Sequence, residues 1–424
     1  MDTDPSTDPS TDPSTARSAP SASAPGGTSE QDPRSAQWFD AADLAMVRAR
    51  GGAKWSKYGP EVLAAWVADM DFPPAPAVSD AITDVMSRGA LGYPWLMEDN
   101  PVARGFAAWT SRRYGWEIDP ALVVTTVDVL QPMQALINLF SEPGDGVVIQ
   151  TPIYPPFHSA ITDVGRVIVE NPLGSAADGY PMDIDGLAAR TAGPDDRTRI
   201  LLLCNPHNPS GRVFRREELE RLAALVLEGD WLVISDEIHA DLLHPGSTHL
   251  PFASLSPQVA ARTVTVTSST KTFNIAGLRL AVAHFGSPQL LERYQSISRF
   301  LLGGANIMGV AATLAAWQDG DEWLAALNAY LSANRQLVVE AVAAMHGVST
   351  VAPEATYLAW LDCRELLATR GLTNAAGFFL DHGVGLNDGA DFGTVGEGFV
   401  RLNFATSRAI LVRILDTMTR ACNG

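Results

Sequence analysis

From about residue 75 onward, short apolar runs alternate with stretches that have helical spacing. Amphipathic helices are predicted for APAVSDAITDVMSRGA, VLQPMQALINLFSEPGD and REELERLAALVLEGD, because apolar residues recur three or four positions apart. Buried strands are predicted for ALVVTT, GVVIQTP, RVIVENP, RILLLCNP, WLVISDE and TVTVTSS. Continuous apolar strands that alternate with helices indicate a mostly parallel sheet covered on both faces. The pattern therefore predicts an α/β domain over residues 75–300.

After about residue 300 the pattern changes. Long alanine-rich helices are predicted for VAATLAAWQ and EWLAALNAYLSANRQLVVEAVAAM, and strand-like runs come after them in ATYLAWLD and GFVRLNFA. We interpret residues 301–424 as a smaller C-terminal α+β domain. Residues 35–74 are expected to form an N-terminal arm and part of this small domain, against which they pack.

The first 34 residues differ from the rest of the chain. The sequence TDPSTDPSTDPS repeats a four-residue unit, and Ser, Pro, Ala and Gly make up most of the remaining positions up to residue 34. Such a segment cannot bury enough apolar surface to offset its ordering entropy, so a disordered tail is predicted for residues 1–34. A solvated tail is favoured over an interaction segment.

Composition limits the class of protein. The 424 residues, 46% of them apolar, suffice for two lobes with their own cores. The net charge of −18 argues against nucleic acid or an anionic membrane as a partner, since both require a basic surface. No apolar run is long enough to span a bilayer, and the N-terminus lacks the pattern of a signal peptide. Because the three cysteines are scattered and fit reduced thiols, we expect a soluble cytoplasmic protein.

Polar residues mark the ends of several predicted strands: Asp128, Thr151, Asn205, Asp236 and Ser268. Ligands of open α/β sheets bind beyond the carboxyl ends of the strands. We therefore expect these residues to collect around a ligand site.

Lys271 stands in TVTSSTKTFNIAGLRL, among Ser and Thr residues and eight positions before Arg279. A lysine amine attacks carbonyl groups when it is deprotonated, a state that burial or a nearby cation favours. Arg279 is a candidate for that cation, and also a candidate ligand for an anionic group held with Ser268 and Ser269. The alternative is a solvated lysine at a strand end, since most lysines are exposed.

Several short motifs succeed one another along the chain: WVADMDFPP, GYP, TPIYPPF, CNPHNPSGR, SDEIHADL, KTFNIAGL, TYLAWLD and FGTVGEGFVRLNFA. In this order, over about residues 50–415, they resemble the bacterial C–S β-lyases, a branch of the fold-type I pyridoxal-phosphate enzymes related to class I/II aminotransferases. The resemblance implies a large domain of mostly parallel sheet sandwiched by helices, a smaller α+β C-terminal domain, and pyridoxal 5'-phosphate as cofactor. It also implies a homodimer with active sites shared across subunits.

The resemblance assigns roles around the cofactor ring. Lys271 matches the lysine that binds the cofactor aldehyde and, once released, takes the substrate Cα proton. Asp236 matches the carboxylate that keeps the pyridinium nitrogen protonated. Asn208 resembles the donor to the ring's phenolic oxygen, and His239 stands where relatives often have Tyr and is expected near the same oxygen. Tyr154 matches the aromatic residue that stacks on the ring.

The phosphate group is assigned a second set of residues. Ser268 and Arg279 match side-chain ligands of the phosphate. The backbone N–H groups of Val129 and Leu130 open a predicted helix, and helix N-termini bind anions. Tyr93, in GYP, resembles a residue that reaches the phosphate in the neighbouring subunit.

The implied reaction is α,β-elimination of cysteine S-conjugates such as L-cystathionine, with release of a thiol, pyruvate and ammonia. Arg401, in FVRLNFA, matches the arginine that binds the substrate α-carboxylate, a role suited to a bidentate guanidinium. Two alternatives stay open. An aminotransferase acting on an L-amino acid would use the same lysine, aspartate and arginine, and a regulatory protein-binding role would accompany catalysis.

Three positions depart from the family pattern. Asp128 stands where glycine is usual, and a carboxylate beside a phosphate is unfavourable, so we expect Asp128 to turn away and cap the following helix. Thr270 replaces the usual serine before the lysine. The sequence GYPWL differs from the common GYT, a change expected to alter the pocket entrance.

The sequence EIHADLLHPGSTH contains His239, His244 and His249, and a group of histidines is one sign of a metal site. No metal is expected, because neither a thiolate nor a glutamate completes a ligand spacing, and His244 and His249 are predicted to lie on the surface. Trp66 and Trp95 are equally compatible with a substrate pocket and with the core.

Overall fold

The computed structural model describes residue 32, residues 35–94 and residues 100–424, with residue 299 described by its backbone alone. The predicted disordered tail, apart from Asp32, and also Trp95 lie outside the described residues. The strands are β1 (Leu63–Ala64), β2 (Val123–Thr126), β3 (Gly146–Thr151), β4 (Val167–Pro172), β5 (Thr198–Cys204), β6 (Leu232–Asp236), β7 (Thr263–Thr267), β8 (Ala281–Phe285), β9 (Ser349–Thr350), β10 (Leu358–Asp362), β11 (Val384–Gly385), β12 (Asn387–Asp388) and β13 (Phe399–Asn403).

Helices cover most of the chain between these strands. They are α1 (Ala36–Asp40), α2 (Leu44–Ala49), α3 (Gly52–Ser56), α4 (Pro76–Ser87), α5 (Pro101–Tyr114), α6 (Leu130–Phe140), α7 (Pro156–Thr162), α8 (Ile184–Arg190), α9 (Arg216–Glu228), α10 (Pro257–Ala260), α11 (Ser269–Thr272), α12 (Pro288–Gln295), α13 (Arg299–Leu302), α14 (Ile307–Asp319), α15 (Asp321–Ala343), α16 (Arg364–Arg370), α17 (Ala375–Asp381) and α18 (Arg408–Asn423). Local signals fix several boundaries. Helix α5, for example, begins after Asn100, whose side chain accepts from two backbone N–H groups, and ends at Gly115 in the left-handed conformation.

The large sheet of the described chain has seven strands in the order β2-β8-β7-β6-β5-β3-β4. Neighbouring strands are parallel except at β8, which runs antiparallel to β7 and to β2 at one edge. The prediction of a mostly parallel sheet is confirmed.

Both faces of this sheet are buried, which explains why its strands read as continuous apolar runs. Side chains alternate between the two faces along a strand. Along β5, Ile200 and Leu202 pack with helices α6, α7 and α12, whereas Leu201 and Leu203 pack with α8 and α9. Helices therefore cover the sheet on both sides, as predicted.

The C-terminal part of the described chain forms a smaller antiparallel sheet in the order β12-β13-β10-β9. The N-terminal residues join it, because β1 pairs in parallel with β11 and Phe39 packs in the same core as helices α15 and α18. The expected contact between the N-terminal arm and the small lobe is therefore present. The domain boundaries at residues 74 and 300 stay a prediction.

One apolar core connects the two lobes. Helix α14 packs against α4 and α5, and residues of these helices share a core with α15, β10 and β13. Within the described residues, no helix combines the length and the apolar composition that crossing a membrane requires.

Candidate active site

A cavity of about 360 Å³ lies at the carboxyl ends of β5, β6 and β7. Cys204 ends β5, Asp236 ends β6 and Ser268 comes directly after β7, and all three side chains line the cavity. Thr151 and Asn205 were expected here but do not line it. Both are buried, and the side-chain oxygen of Asn205 accepts the backbone N–H of Phe214, so its role is structural.

Lys271 lies in the wall of this cavity on the short helix α11. Its Nζ donates a hydrogen bond to the carbonyl oxygen of Ala68 at 2.9 Å. Burial lowers the pKa of Lys271, Arg401 lowers it further, and Asp69 and Asp236 oppose the shift. Lys271 is only partly exposed and its amine is hydrogen-bonded, which disfavours the alternative of a solvated lysine. Arg279 is not the neighbouring cation, because that position is taken by Arg401.

Asp236 is 4% exposed and faces the same cavity. Its Oδ1 accepts the backbone N–H of Ile238 at 3.0 Å, and its Oδ2 has no hydrogen-bond partner among the described residues. Burial raises the pKa of Asp236 to about 7, and the nearby Lys271 opposes the rise. A positively charged group in the cavity would therefore find an acceptor with a free oxygen.

Arg401 is buried in the wall of the cavity, on β13 of the small lobe. Its guanidinium donates to Oδ1 of Asn208 at 3.0 Å, to Oδ1 of Asn387 at 2.7 Å and to the carbonyl oxygen of Trp66 at 3.0 Å. It also lies 5.0 Å from the centre of the Phe392 ring. Burial lowers the pKa of Arg401 to about 10.

A group of candidate phosphate ligands lines the cavity where helix α6 begins. The first amides of a helix have no acceptor one turn earlier, so the N–H groups of Val129 and Leu130 are available to an anion. The hydroxyl of Ser268 lies 2.6 Å from the carbonyl oxygen of Leu280, and Arg279 adopts the left-handed conformation at φ 46°. Val129, Leu130, Ser268 and Arg279 line one cavity, as the phosphate assignment requires.

Asp128 does cap helix α6, since its Oδ1 accepts the N–H of Gln131 at 2.8 Å. The expectation that it turns away from the anion-binding end is wrong. Its Oδ2 forms an ion pair with Arg279, and both residues line the cavity. The carboxylate thus contacts the helix terminus and the arginine at once.

Tyr154 and His239 line the cavity, whereas Tyr93 is fully exposed on the single chain. Burial raises the pKa of Tyr154 and lowers that of His239 to about 3, so the imidazole is neutral at physiological pH. The Nδ1 of His239 is buried with no partner among the described residues. Trp66 lines the cavity, which favours the pocket interpretation for this residue.

The prediction of surface positions for His244 and His249 is wrong, because both are buried. His249 contacts Glu237 through Nε2 at 2.8 Å, and Nε2 of His244 lies 2.9 Å from the carbonyl oxygen of Thr356. The exposed residues between them, such as Gly246, carry the turn. The two histidines therefore anchor this loop through hydrogen bonds to Glu237 and to the backbone of Thr356.

The sequence interpretation missed the role of residues 66–72, the WVADMDF segment. Its carbonyl groups contact residues from both lobes: Ala68 accepts from Lys271 and from the hydroxyl of Tyr357, and Asn403 donates to the carbonyl oxygens of Val67 and Asp69. The WVADMDFPP motif marked this segment as part of the family pattern, but it did not indicate which residues the segment contacts. Its partners lie more than 200 residues away, so the pattern alone did not reveal them.

Asn387 was also missed. It lies directly across from Arg401 in the β12–β13 pair, and its side chain lines the cavity. No motif around Asn387 marked it in advance. Its position depends on the register of two strands that are far from Lys271 in sequence.

The family model for aminotransferase class I and II matches residues 67–417, and the chain belongs to this family. Cystathionine beta-lyase PatB of Bacillus subtilis (strain 168) is 37% identical over 84% of this chain and 93% of its own length. Protein MalY of Escherichia coli (strain K12) is 34% identical, over 81% and 87% of the two chains. The PLP-bound C-S lyase from Staphylococcus hominis superposes with a TM-score of 0.84 at 30% identity, covering 91% of this chain and 98% of that one.

These similarities confirm the predicted family resemblance, the fold class and the pyridoxal-phosphate cofactor of the family. The Bacillus and Staphylococcus proteins carry the names of carbon–sulfur lyases, the activity that the sequence motifs implied.

Proposed function

We propose that this protein is a pyridoxal-phosphate-dependent carbon–sulfur β-lyase that eliminates a thiol from cysteine S-conjugates such as L-cystathionine and yields pyruvate and ammonia. One observation carries the proposal. Lys271, Asp236 and Arg401 line a single cavity, with the lysine pKa lowered by burial and by the arginine. The names of relatives over most of the chain support the same reaction class.

The residues of the cavity fit the cofactor. The free Oδ2 of Asp236 suits a protonated pyridinium nitrogen, and a cation there would restore the ionised state that burial disfavours. Asn208 has its Oδ1 engaged by Arg401, which leaves its amide N–H groups for the ring's phenolic oxygen. The α6 amides, Ser268 and Arg279 would hold the phosphate. When bound, the cofactor supplies an electron sink that stabilises negative charge at the substrate Cα.

Arg401 would bind the substrate α-carboxylate through its guanidinium and so fix the direction of the Cα–H bond. Asn387 and Trp66 already hold this guanidinium in place. The neutral amine of Lys271 would then take the Cα proton. As the Cβ–S bond breaks, its electrons leave with sulfur as a thiolate, and water converts the released enamine to pyruvate and ammonia.

An aminotransferase is the second candidate, favoured by the family model that matches the chain. It would use the same lysine, aspartate and arginine, but the amino group of the substrate would pass to a keto acid and no thiol would be released.

The test is incubation of the purified protein with L-cystathionine and, separately, with an S-alkyl cysteine. Thiol and pyruvate should appear in equal amounts without any added keto acid. Lys271→Ala should abolish release, and the exposed Lys57→Arg should retain it. Amino-group transfer that depends on a keto acid, with no thiol released, would instead establish the aminotransferase.

The proposal includes a homodimer with shared sites. Tyr93 is fully exposed on the single chain, as are most of Phe300 and Leu301, which supports burial against a second subunit. Mixing Lys271→Ala with Tyr93→Ala subunits tests this. If Tyr93 serves the partner's site, mixed dimers contain one complete site and recover activity that neither variant has alone.

We also propose a cytoplasmic location. The side chains of Cys204, Cys363 and Cys422 are buried and free, as expected in a reducing compartment. Fractionation of cells that express the chain, with activity measured in each fraction, tests the location.

A further inference from the structure

We propose that Asp128 lowers the affinity of this protein for its cofactor by competing with the phosphate group for Arg279 and for the N-terminus of helix α6. The inference rests on the proposed function, because it takes this end of the cavity as the phosphate site. It concerns a residue that departs from the glycine expected at this position.

The geometry places the carboxylate on Arg279, which a phosphate would also use, and against the first turn of helix α6. One oxygen of Asp128 accepts the N–H of Gln131 at 2.8 Å, within the first turn of α6. The other oxygen pairs with Arg279. A phosphate at the first amides of this helix must therefore share Arg279 with an anion that the chain already provides, and must lie close to that anion.

The charge of Asp128 disfavours binding of a phosphate beside the start of helix α6. Among the described residues that line this end of the cavity, Arg279 supplies the positive side chain, and Asp128 cancels that charge. A phosphate carries close to two negative charges at neutral pH. With asparagine in place of Asp128, the Arg279 cation would be available to the phosphate, and the repulsion between carboxylate and phosphate would disappear.

The expected effect of Asp128 on cofactor affinity is moderate, because its ion pair with Arg279 is accessible to water. The Arg279 side chain is 63% exposed and that of Asp128 is 32% exposed. Charge interactions at such positions are screened and amount to a few-fold in an equilibrium constant. We therefore expect Asp128→Asn to bind pyridoxal phosphate about three- to tenfold more tightly than the wild type.

Asparagine is the suitable replacement because its side-chain oxygen can still accept the N–H of Gln131 and cap the helix. Asp145 offers a matched control. It also accepts a backbone N–H, that of Glu142 at 2.8 Å, and it also pairs with an arginine, Arg197, at 2.7 Å. Since it does not line the cavity, Asp145→Asn should leave cofactor affinity unchanged.

The experiment measures dissociation constants of the full-length protein for pyridoxal phosphate, and for pyridoxal, by absorbance and equilibrium dialysis at two salt concentrations. The expected result is tighter binding of pyridoxal phosphate by Asp128→Asn, with pyridoxal affinity unchanged and the gain reduced at high salt. Inorganic phosphate should also compete with the cofactor more effectively in the variant than in the wild type.

Two results would overturn the inference. Equal or weaker binding of pyridoxal phosphate by Asp128→Asn would mean that Asp128 positions Arg279 for the phosphate instead of competing with it. Equal gains for pyridoxal and its phosphate would mean that the effect does not arise at the phosphate. Failure of the wild type to bind pyridoxal phosphate at all would instead refute the proposed function, so the two failures are distinguishable.

Discussion

Replacing Asn274 by glycine tests how the WVADMDF segment is held against the active site. Asn274 lies just after helix α11, which carries Lys271, and it adopts the left-handed conformation at φ 57°. Its Nδ2 donates to the carbonyl oxygens of Met70 at 3.0 Å and Phe72 at 2.9 Å, and its Oδ1 accepts the N–H of Met70 at 3.0 Å. The Asn274 side chain thus forms three hydrogen bonds with the backbone of Met70 and Phe72.

The expected loss of stability comes from these bonds. Each contributes about 1 kcal/mol, so removing all of them costs about 3 kcal/mol. Glycine adopts φ 57° without steric strain, and its greater freedom in the unfolded chain adds about 0.5–1 kcal/mol. The free energy of unfolding should therefore fall by about 3.5–4 kcal/mol in Asn274→Gly.

Urea unfolding followed by tryptophan fluorescence measures this difference. Asp230→Gly is a matched control, because Asp230 also has φ 57° but forms an exposed ion pair with Arg262. That variant should lose about 1 kcal/mol, since exposed pairs contribute little beyond the effect of glycine itself. If Asn274→Gly is no less stable than Asp230→Gly, the segment is not held by this side chain and the reasoning is wrong.

Three further predictions concern single side chains. Arg401→Lys should lower kcat/KM for pyruvate release by about 10²- to 10³-fold, mainly through a higher KM, because a buried partner of the substrate carboxylate is lost; an unchanged KM would contradict the assignment. In the cofactor-free protein, the raised pKa of Asp236, about 7, means that its contribution to stability is complete below about pH 4 and is lost as the pH rises through 7. Urea unfolding between pH 5 and 8 should show this loss as a fall of at most about 3 kcal/mol in the free energy of unfolding, and Asp236→Asn should remove it. His249→Ala should destabilise the fold by about 3 kcal/mol in thermal unfolding, because Glu237 loses a buried partner, whereas the exposed His346→Ala should have little effect.

The elements of the fold were predictable because their patterns are local. Continuous apolar runs such as ILLL in β5 are needed wherever both faces of a strand are buried, and the helices between them show their own spacing. Lys271, Asp236 and Arg401 were predicted as site residues because each lies in a motif to which the family resemblance assigns a role. The structure brings all three to one cavity.

Other features depend on contacts that no local pattern encodes. The carbonyl of Ala68 contacts Lys271 across about 200 positions of sequence, and Asn387 reaches Arg401 through strand register. His244 and His249 stand among turn residues and yet are buried, because they flank the exposed turn and their side chains bond to Thr356 and Glu237. The ion pair between Asp128 and Arg279 likewise joins two loops that lie 151 positions apart in the sequence.

The most direct test of the central claim uses the small number of lysines in the chain. Lysine occurs at positions 54, 57 and 271, and Lys54 is buried in an ion pair with Asp71. The protein saturated with pyridoxal phosphate should be yellow, and borohydride followed by peptide mass spectrometry should find the reduced cofactor attached to Lys271. A colourless protein, or a label on Lys57 with none on Lys271, would contradict the account.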